Sequence, residues 1–331
     1  MKIILVLIVL SIMIDSKGQD MQFTQFNAAP LYLNPAFAGA TIEHRLAANY
    51  RNQWAGIPGH FVNSTFAYDY NLSEFNSGLG LLFAKEKAGT GALGSTEIGL
   101  LYSYHFKIDK KIRIQPGIKF NYITRSIDFS KLVFNDQLAV GANTTSDDIQ
   151  IDNVSYMDIT SGVLVYSAKY WAGFSFHHIN EPNQSLNSDE SPLFMKFSAH
   201  GGYKFDLSER GKKSLNTSYF NLALHYKSQQ NFDQLDIGLY YTREPFTYGI
   251  WYRGIPGIKS YEGKMNNDAL AIILGYKLID YNLNIGYSYD LTVSRLAANS
   301  AGSHEVSIIY EVASKKKKRR SKRFFVPCAK F

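Results

Sequence analysis

Between Ile98 and Phe106 the residues Ile98, Leu100, Tyr102, Tyr104 and Phe106 are apolar at every second position, with Gly99, Ser103 and His105 among those between them. A period of two with unlike faces marks a β-strand, because successive side chains of an extended chain point to opposite sides. The same alternation runs through Ile112, Ile114, Ile118, Phe120 and Tyr122, and through Phe197, Ala199, Gly201, Tyr203, Phe205 and Leu207. It returns in Leu283, Ile285, Tyr287, Tyr289, Leu291 and Val293, and helical spacing fits none of these segments as well. Counted from Ile42 to Ala313, such segments predict about fourteen strands, each long enough at roughly 9–11 residues to cross a bilayer at a tilt.

The connections alternate in length. Loops are predicted at 55–60, 86–94, 126–155, 180–193, 227–231, 254–267 and 295–303. Tight turns are predicted near 73–77, 109–111, 168–169, 208–213, 243–244 and 280–282. Short turns on one rim and longer loops on the other are the pattern of outer-membrane barrels. The fold class is therefore all-β, a transmembrane antiparallel β-barrel. Parity says which face meets lipid: Arg51 is out of phase with Tyr50 and Trp54, Asp69 lies between Tyr68 and Tyr70, Arg253 follows Tyr252, and Asp290 follows Tyr289. An Arg at mid-depth on the lipid face would cost ~2–4 kcal/mol, so the charges collect inside. Shared inward parity predicts a lumen network in which Arg51 and Arg253 pair with some of Asp69, Asp290 and Glu305. Trp54 and Trp171 are expected as interfacial girdle residues, and Trp251 as a lumen residue.

The ends of the chain differ from its middle. Met1-Lys2 is followed by Ile3 to Ile14, where only Ser11 is polar. Ser16 and Gly18 then stand at positions −3 and −1 of a cleavage site before Gln19. The apolar run is short of the ~20 residues that span a bilayer as helix, so residues 1–18 are expected to be a signal peptide. Residues 19–41 are expected as an N-terminal periplasmic segment, too short for the plug of a fatty-acid transporter; residues 42–313 form the barrel and residues 314–331 a basic C-terminal tail. An even strand number leaves both termini on the periplasmic side.

Composition narrows the classes. Of 331 residues, 15% are aromatic and 19% charged, which excludes a disordered chain or a coiled coil. A single Cys excludes an internal disulfide framework and a cysteine-based zinc site. Net charge is +7, but residues 315–331 hold nine Lys or Arg and no acid; removing that +9 and the +1 of residues 1–18 leaves −3 between them. The basic character belongs to a tail, and nucleic acid is not an expected partner. Lys315, Lys316, Lys317, Lys318, Arg319 and Arg320 are candidates for docking a periplasmic partner or anionic lipid.

Enzymatic chemistry needs a constellation. The compact candidates are His177-His178 with Asn180, and His304-Glu305 with Asp290. Neighbouring residues on a strand face opposite ways, so His177 and His178 do not share a metal ion. Asp147, Asp148 and Asp152 lack the spacing of an EF-hand loop. No catalytic residue, metal or cofactor is expected.

Several motifs together carry a family resemblance. They are Gln22-Phe23-Thr24-Gln25-Phe26, Asn34-Pro35-Ala36 with Gly39, Arg51-Asn52-Gln53-Trp54, Phe134-Asn135-Asp136-Gln137, Trp251-Tyr252-Arg253-Gly254-Ile255-Pro256, and Ile285-Gly286-Tyr287-Ser288-Tyr289-Asp290 followed by Ser294, Leu296, Gly302 and His304-Glu305. From about Gln22 to Tyr310 the chain resembles the PorP/SprF family in their order and spacing. The resemblance implies a non-enzymatic outer-membrane β-barrel of the type IX secretion system of Bacteroidota, supporting export or surface anchoring of a partner adhesin and linked to gliding motility. Implied partners are the secreted adhesin, other secretion components and the lipid bilayer. The alternative from the residues is a transport barrel for a small hydrophobic solute.

Overall fold

The computed structural model describes residues 20–90, 93–109, 111–133, 135–140, 153–187, 189–207, 218–261, 264–293, 300–312 and 326–328. Its strands are β1 (His44–Gln53), β2 (Phe61–Leu72), β3 (Ser77–Ala88), β4 (Leu93–Tyr104), β5 (Phe106–Lys107), β6 (Arg113–Ser126), β7 (Val154–Tyr166) and β8 (Tyr170–His177). They continue as β9 (Lys196–Asp206), β10 (Ser218–Gln229), β11 (Phe232–Arg243), β12 (Phe246–Tyr261), β13 (Lys264–Leu278), β14 (Leu283–Thr292) and β15 (Ser303–Val312). β4 and β5 are two stretches of one strand, since both pair with β6. They part at His105, whose N–H turns to donate to the Asn76 carbonyl at 2.7 Å. Every pairing is antiparallel between neighbours in sequence, and β1 pairs with β15 from His44↔Val312 to Gln53↔Ser303, closing a ring of 14 strands.

Closure is what the solvent demands. In hydrocarbon each unpaired backbone group costs several kcal/mol, and only a ring leaves no open sheet edge. The faces separate as the parity requires: Leu79, Leu81, Phe83, Ile98, Leu100 and Tyr102 are exposed outward, while Asn49, Asp69, Glu97, Lys119, Asn121 and Asp158 are buried inward. No described helix is long and apolar enough to cross a membrane.

Two of the expected loops shrink. β3 and β4 extend to Ala88 and from Leu93, and β12 and β13 form one long hairpin through most of 254–267. Ladder hydrogen bonds persist there past a bulge at Gly254, whose φ of 140° suits only glycine.

The larger correction concerns residues 19–41. The described part of that segment, from Asp20 on, lies inside the lumen and not beside the barrel. Phe23 to Leu31 and Leu33 to Thr41 are all buried. The segment is compact because it coils into 3-10 turns at Phe26–Ala28 and Pro35–Phe37 around a one-turn helix at Pro30–Leu33. Pro30 and Pro35 each stand at a helical start, where a missing N–H costs nothing, and the Asn34 side chain caps the second 3-10 turn by accepting from Ala36 N–H at 2.9 Å. A few residues thus fill a cross-section that an extended chain would leave open. Trp171, expected at the lipid interface, is buried in the lumen against Phe37 and His200, with ring centroids 6.1 and 5.3 Å away. The apolar surface of the segment gives it a better site than the interface.

The wall is hollowed to receive this segment. A Cβ at Gly78 would lie 2.1 Å from the Ala38 carbonyl oxygen, one at Gly117 2.5 Å from the Ala36 nitrogen, and one at Gly162 2.3 Å from Asn34 Oδ1. Three inward glycines therefore let the segment lie directly on the sheet, its main chain on β3 and β6 and the Asn34 side chain on β7. At the same end Val326 is buried in the common core and Cys328 packs on it, so the chain returns to the barrel after the basic run. That run, Lys315 to Arg320, the predicted signal peptide and Asp147, Asp148 and Asp152 lie outside the described residues.

We expect Gly117→Val to destabilise the barrel by ~1–3 kcal/mol through overpacking. Heat-modifiability on semi-native gels should show a lowered unfolding temperature, while Leu100→Val on the lipid face leaves it unchanged.

Candidate functional site: a filled lumen beneath an open vestibule

The lumen segment is tied to the wall at successive depths, beginning near the short-turn rim. Arg45, at the start of β1, pairs with Asp69 at 2.8 Å and donates to the Phe37 carbonyl at 3.0 Å. The other Asp69 oxygen accepts from Gly39 N–H at 2.8 Å. Further up, Ser103 Oγ and Gln115 Nε2 donate to the Ala38 carbonyl at 2.6 and 2.7 Å, and Ser175 Oγ donates to the Leu33 carbonyl at 3.1 Å. Asn34 Nδ2 reaches the carbonyls of Val163 and Phe174 at 3.2 and 3.0 Å. Polar groups of the coil that would otherwise be buried unpaired are met by wall side chains.

Toward the long-loop rim stands the densest cluster. Arg51 holds Asp290 at 2.7 Å and Glu305 at 3.2 Å, and Arg253 holds Asp290 at 3.2 Å, Asp236 at 3.2 Å and Asp268 at 3.6 Å. Thr24 sits among them: its Oγ1 donates to Asp290 at 2.6 Å and accepts from Arg51 at 2.6 Å and Arg253 at 2.9 Å. Glu305 accepts the backbone N–H groups of Thr24 and Gln25 at 2.7 and 3.0 Å, one on each oxygen. The Gln25 side chain donates to Ser288 Oγ at 3.1 Å and accepts from Ser307 Oγ at 2.6 Å.

Of the residues expected in one lumen network, Arg51, Arg253, Asp290 and Glu305 come together. Asp69 does not, because it lies at the other end of the barrel on Arg45. Parity records the face of a strand but not the depth, and only the β1–β2 register, Arg45↔Asp69, separates the two groups. Asp236 and Asp268 were not singled out by sequence, and Thr24 and Gln25 entered only as part of the motif Gln22-Phe23-Thr24-Gln25-Phe26, with no place in the network.

Above the segment a cavity of ≈ 650 Å³ opens among the long loops. Its floor is Tyr32, whose hydroxyl donates to the Met21 carbonyl at 3.1 Å and whose ring lies 5.7 Å from both Lys119 Nζ and Lys196 Nζ. Its wall includes Trp54 and Phe61, Glu86, Glu97 paired with Lys119 at 2.7 Å, and Arg125, which donates to Gln184. Asp20 is clamped there between Lys196 and the rim residue His178, which lies just beyond β8 and is 2.9 Å from both Asp20 and Asp158. Burial alone would lower the His178 pKa, but the two carboxylates outweigh it and hold it up at about 9.

Two catalytic-looking arrangements dissolve on inspection. His304 points outward to the Tyr287 hydroxyl at 2.8 Å while its neighbour Glu305 points inward. Ser198, His225 and Asp236 lie in the order of an acyl-transfer triad, with Ser198 Oγ 2.9 Å from His225 Nε2. The third link is missing, for His225 Nδ1 is 3.7 Å from Asp236, which is held by Arg253. Phe26 packs against His225 with ring centroids 4.9 Å apart and planes tilted by 45°, and the adjoining cavity is only ≈ 40 Å³, too small for a substrate. Among the described residues there is no group of acidic, His or Cys side chains that could hold a metal ion.

A closed antiparallel ring with an apolar exterior, charged interior and filled lumen defines a multi-pass β-barrel of the outer membrane. Within that class the family can be named. The model of the type IX secretion system membrane proteins PorP/SprF matches residues 15–310, and the chain belongs to that family. No curated protein matches it. Among solved structures it is similar to the outer membrane protein Omp33 of Acinetobacter baumannii at 6% identity and a TM-score of 0.45, covering 83% of this chain and 100% of that one. It is also similar to the monoaromatic hydrocarbon channel CymD at 10% identity and a TM-score of 0.45, covering 90% and 96%. A FadL homologue of Pseudomonas aeruginosa matches at 10% identity and 0.41, covering 84% and 92%.

Two outcomes are expected at this site. Arg51→Ala should cost ~3–5 kcal/mol by leaving Glu305 and Asp290 buried without their partner, read as a lowered heat-modification temperature. The clamp on Asp20 should depend on pH. With a folded pKa raised to about 9, His178 contributes stability that is complete below its unfolded value of about 6.5 and is lost as pH rises through about 9. Hydrogen exchange at Met21 and Gln22 should accelerate between pH 7 and 10, and His178→Gln should flatten that rise.

Proposed function

We propose that this barrel is a non-enzymatic component of the type IX secretion system that supports export or surface anchoring of a partner adhesin, in a cell that glides. Membership of the PorP/SprF family is the observation that carries the reading. The filled lumen supports it, because residues 23–41 occupy the pore that a solute or a secreted chain would need. In this reading the barrel acts as a docking platform and not as a conduit. The adhesin meets the long-loop rim, where the vestibule with its aromatic wall is open, and other secretion components meet the short-turn rim in the periplasm. β15 ends with Val312, and the charge of the run Lys315 to Arg320 that follows it in sequence is offered to such a component. A transport role for a small hydrophobic solute fits less well, since the buried residues 23–41 fill the lumen next to the cavity that Tyr32 lines.

Deletion of the protein should abolish surface display of one adhesin and leave permeability to small solutes unchanged; normal display in the deletion strain would sink the reading, and solute flux through purified protein in liposomes would favour transport. Replacing Lys315 to Arg320 by Gln, with Val326 retained, should weaken periplasmic docking while preserving insertion. That docking should also weaken with added salt, since exposed charges are screened over roughly 8 Å at physiological ionic strength. Single cysteines placed in 126–155 should label on intact cells, and labelling only after permeabilisation would reverse the assigned orientation.

A further inference from the structure

On the outside of the barrel, neighbouring strands change character along one line of register. Phe66 of β2, Phe83 of β3, Ile98 of β4, Tyr122 of β6 and Met157 of β7 pair across in succession, and all are exposed outward. Nearer the long loops, the next outward position on each strand is Ser64, Lys85, Thr96, Thr124 and Ser155, again paired in succession. Lys87 follows on β3 between Val62 and Gly94. Both lysines are exposed, and the residues paired with them on β2 and β4 include no acid.

Depth places this line at the edge of the hydrocarbon. From Ile98 to Phe106 the outward apolar positions cover roughly 27 Å of strand, about 20 Å of height at a tilt of ~40°, close to the ~25 Å apolar band of a membrane barrel. The next outward position beyond Ile98, Thr96 with Lys85 beside it, therefore stands where acyl chains give way to headgroups. The tilt slants the line by about 3 Å per strand, which keeps Ser64 and Thr96 level with the lysines to within that distance. Lys85 and Lys87 share one face of β3 with Cα atoms about 6.7 Å apart, so both ammonium groups can reach one anion. Lysine meets phosphate as a compact point charge, and hydroxyls can both donate to phosphate oxygens and pair with sugar hydroxyls. The outward row at the long-loop end of β8 to β11 is different, running Phe176, Phe197, Ser228 and Asp233. The cationic face is thus one-sided, and an even belt of rim charge does not account for it.

We propose that Lys85 and Lys87, with the hydroxyls of Ser64, Thr96 and Thr124, form a docking face for the phosphorylated sugar headgroup of an outer-leaflet glycolipid. A phosphate monoester, which carries about two charges at neutral pH, sits between the two lysines, and the acyl chains lie along Phe83, Ile98 and Tyr122. The diester of an ordinary phospholipid brings a single charge and matches the pair less well. The inference depends on the long-loop rim lying outside, which cysteine labelling of 126–155 tests separately, and not on which adhesin the barrel serves.

The test uses the full barrel purified in detergent and titrated with lipid A, a diphosphorylated and acylated glucosamine disaccharide, with adducts counted by native mass spectrometry. One saturable adduct is expected, and its Kd should rise at least tenfold when the lipid is dephosphorylated. The double variant K85Q/K87Q should show the same loss with an unchanged heat-modification temperature, while Lys107→Gln, an exposed lysine at the short-turn end, should bind as the unaltered protein does. Phosphatidylglycerol should bind the unaltered barrel more weakly than lipid A. Equal binding of intact and dephosphorylated lipid A by the unaltered barrel would overturn the proposal without recourse to any variant. Undiminished binding by K85Q/K87Q would overturn it too, and so would phosphatidylglycerol binding as tightly as lipid A.

Discussion

The carboxylate of Glu305 accepts the main-chain N–H groups of Thr24 and Gln25 while Arg51 binds its flank, and the organisation of the lumen depends on that contact. It joins the last strand of the ring to the first, because Glu305 faces Arg51 in the β1–β15 register that closes the barrel. It also fixes the height of the coil within the pore. Arg51 and Arg253 converge on one oxygen of Asp290, and the Thr24 hydroxyl completes the geometry by donating to the anion and accepting from both cations. Charges this deeply buried are tolerable only when each finds partners, so the ring and its filling stabilise each other or neither.

From this follows the division of the interior. Below the cluster, apolar side chains of the segment meet Trp171, Tyr240, Trp251 and Ile273, and glycines in the wall admit its backbone. Above it, Tyr32 and Asp20 line a cavity that the loops surround. Among the described residues the lumen is thus filled below and open as a vestibule above. The chain belongs to the type IX secretion system family PorP/SprF, and in it this filling lies within the wall of the barrel.

The strand alternation made the membrane barrel readable without coordinates, because lipid imposes a rule on every second residue and the rule acts locally. The same parity placed Arg51, Arg253, Asp290 and Glu305 inside. It placed Asp69 inside as well but did not give its depth, which follows from register, and the girdle expectation for Trp171 failed because an aromatic near a strand end suits an interface and a lumen equally. Residues 19–41 were legible as a short polar-apolar stretch with two prolines, but nothing in their pattern distinguishes a segment in the periplasm from one folded into a pore.

What the sequence by itself determined is therefore the wall: strands, their approximate number, the inward side of each and the family to which the chain belongs. These rest on periodicity and on motif order, both of which survive in one dimension. Only the tertiary structure decided what fills the wall. Gln25 meets Ser288 and Ser307 across separations of 263 and 282 residues, and Thr24 meets Arg51, Arg253 and Asp290 at once. Such contacts have no period along the chain. They exist because closing the ring brings β1, β12, β14 and β15 around one volume, and because the charges that lipid excludes need hydrogen-bonding partners within it.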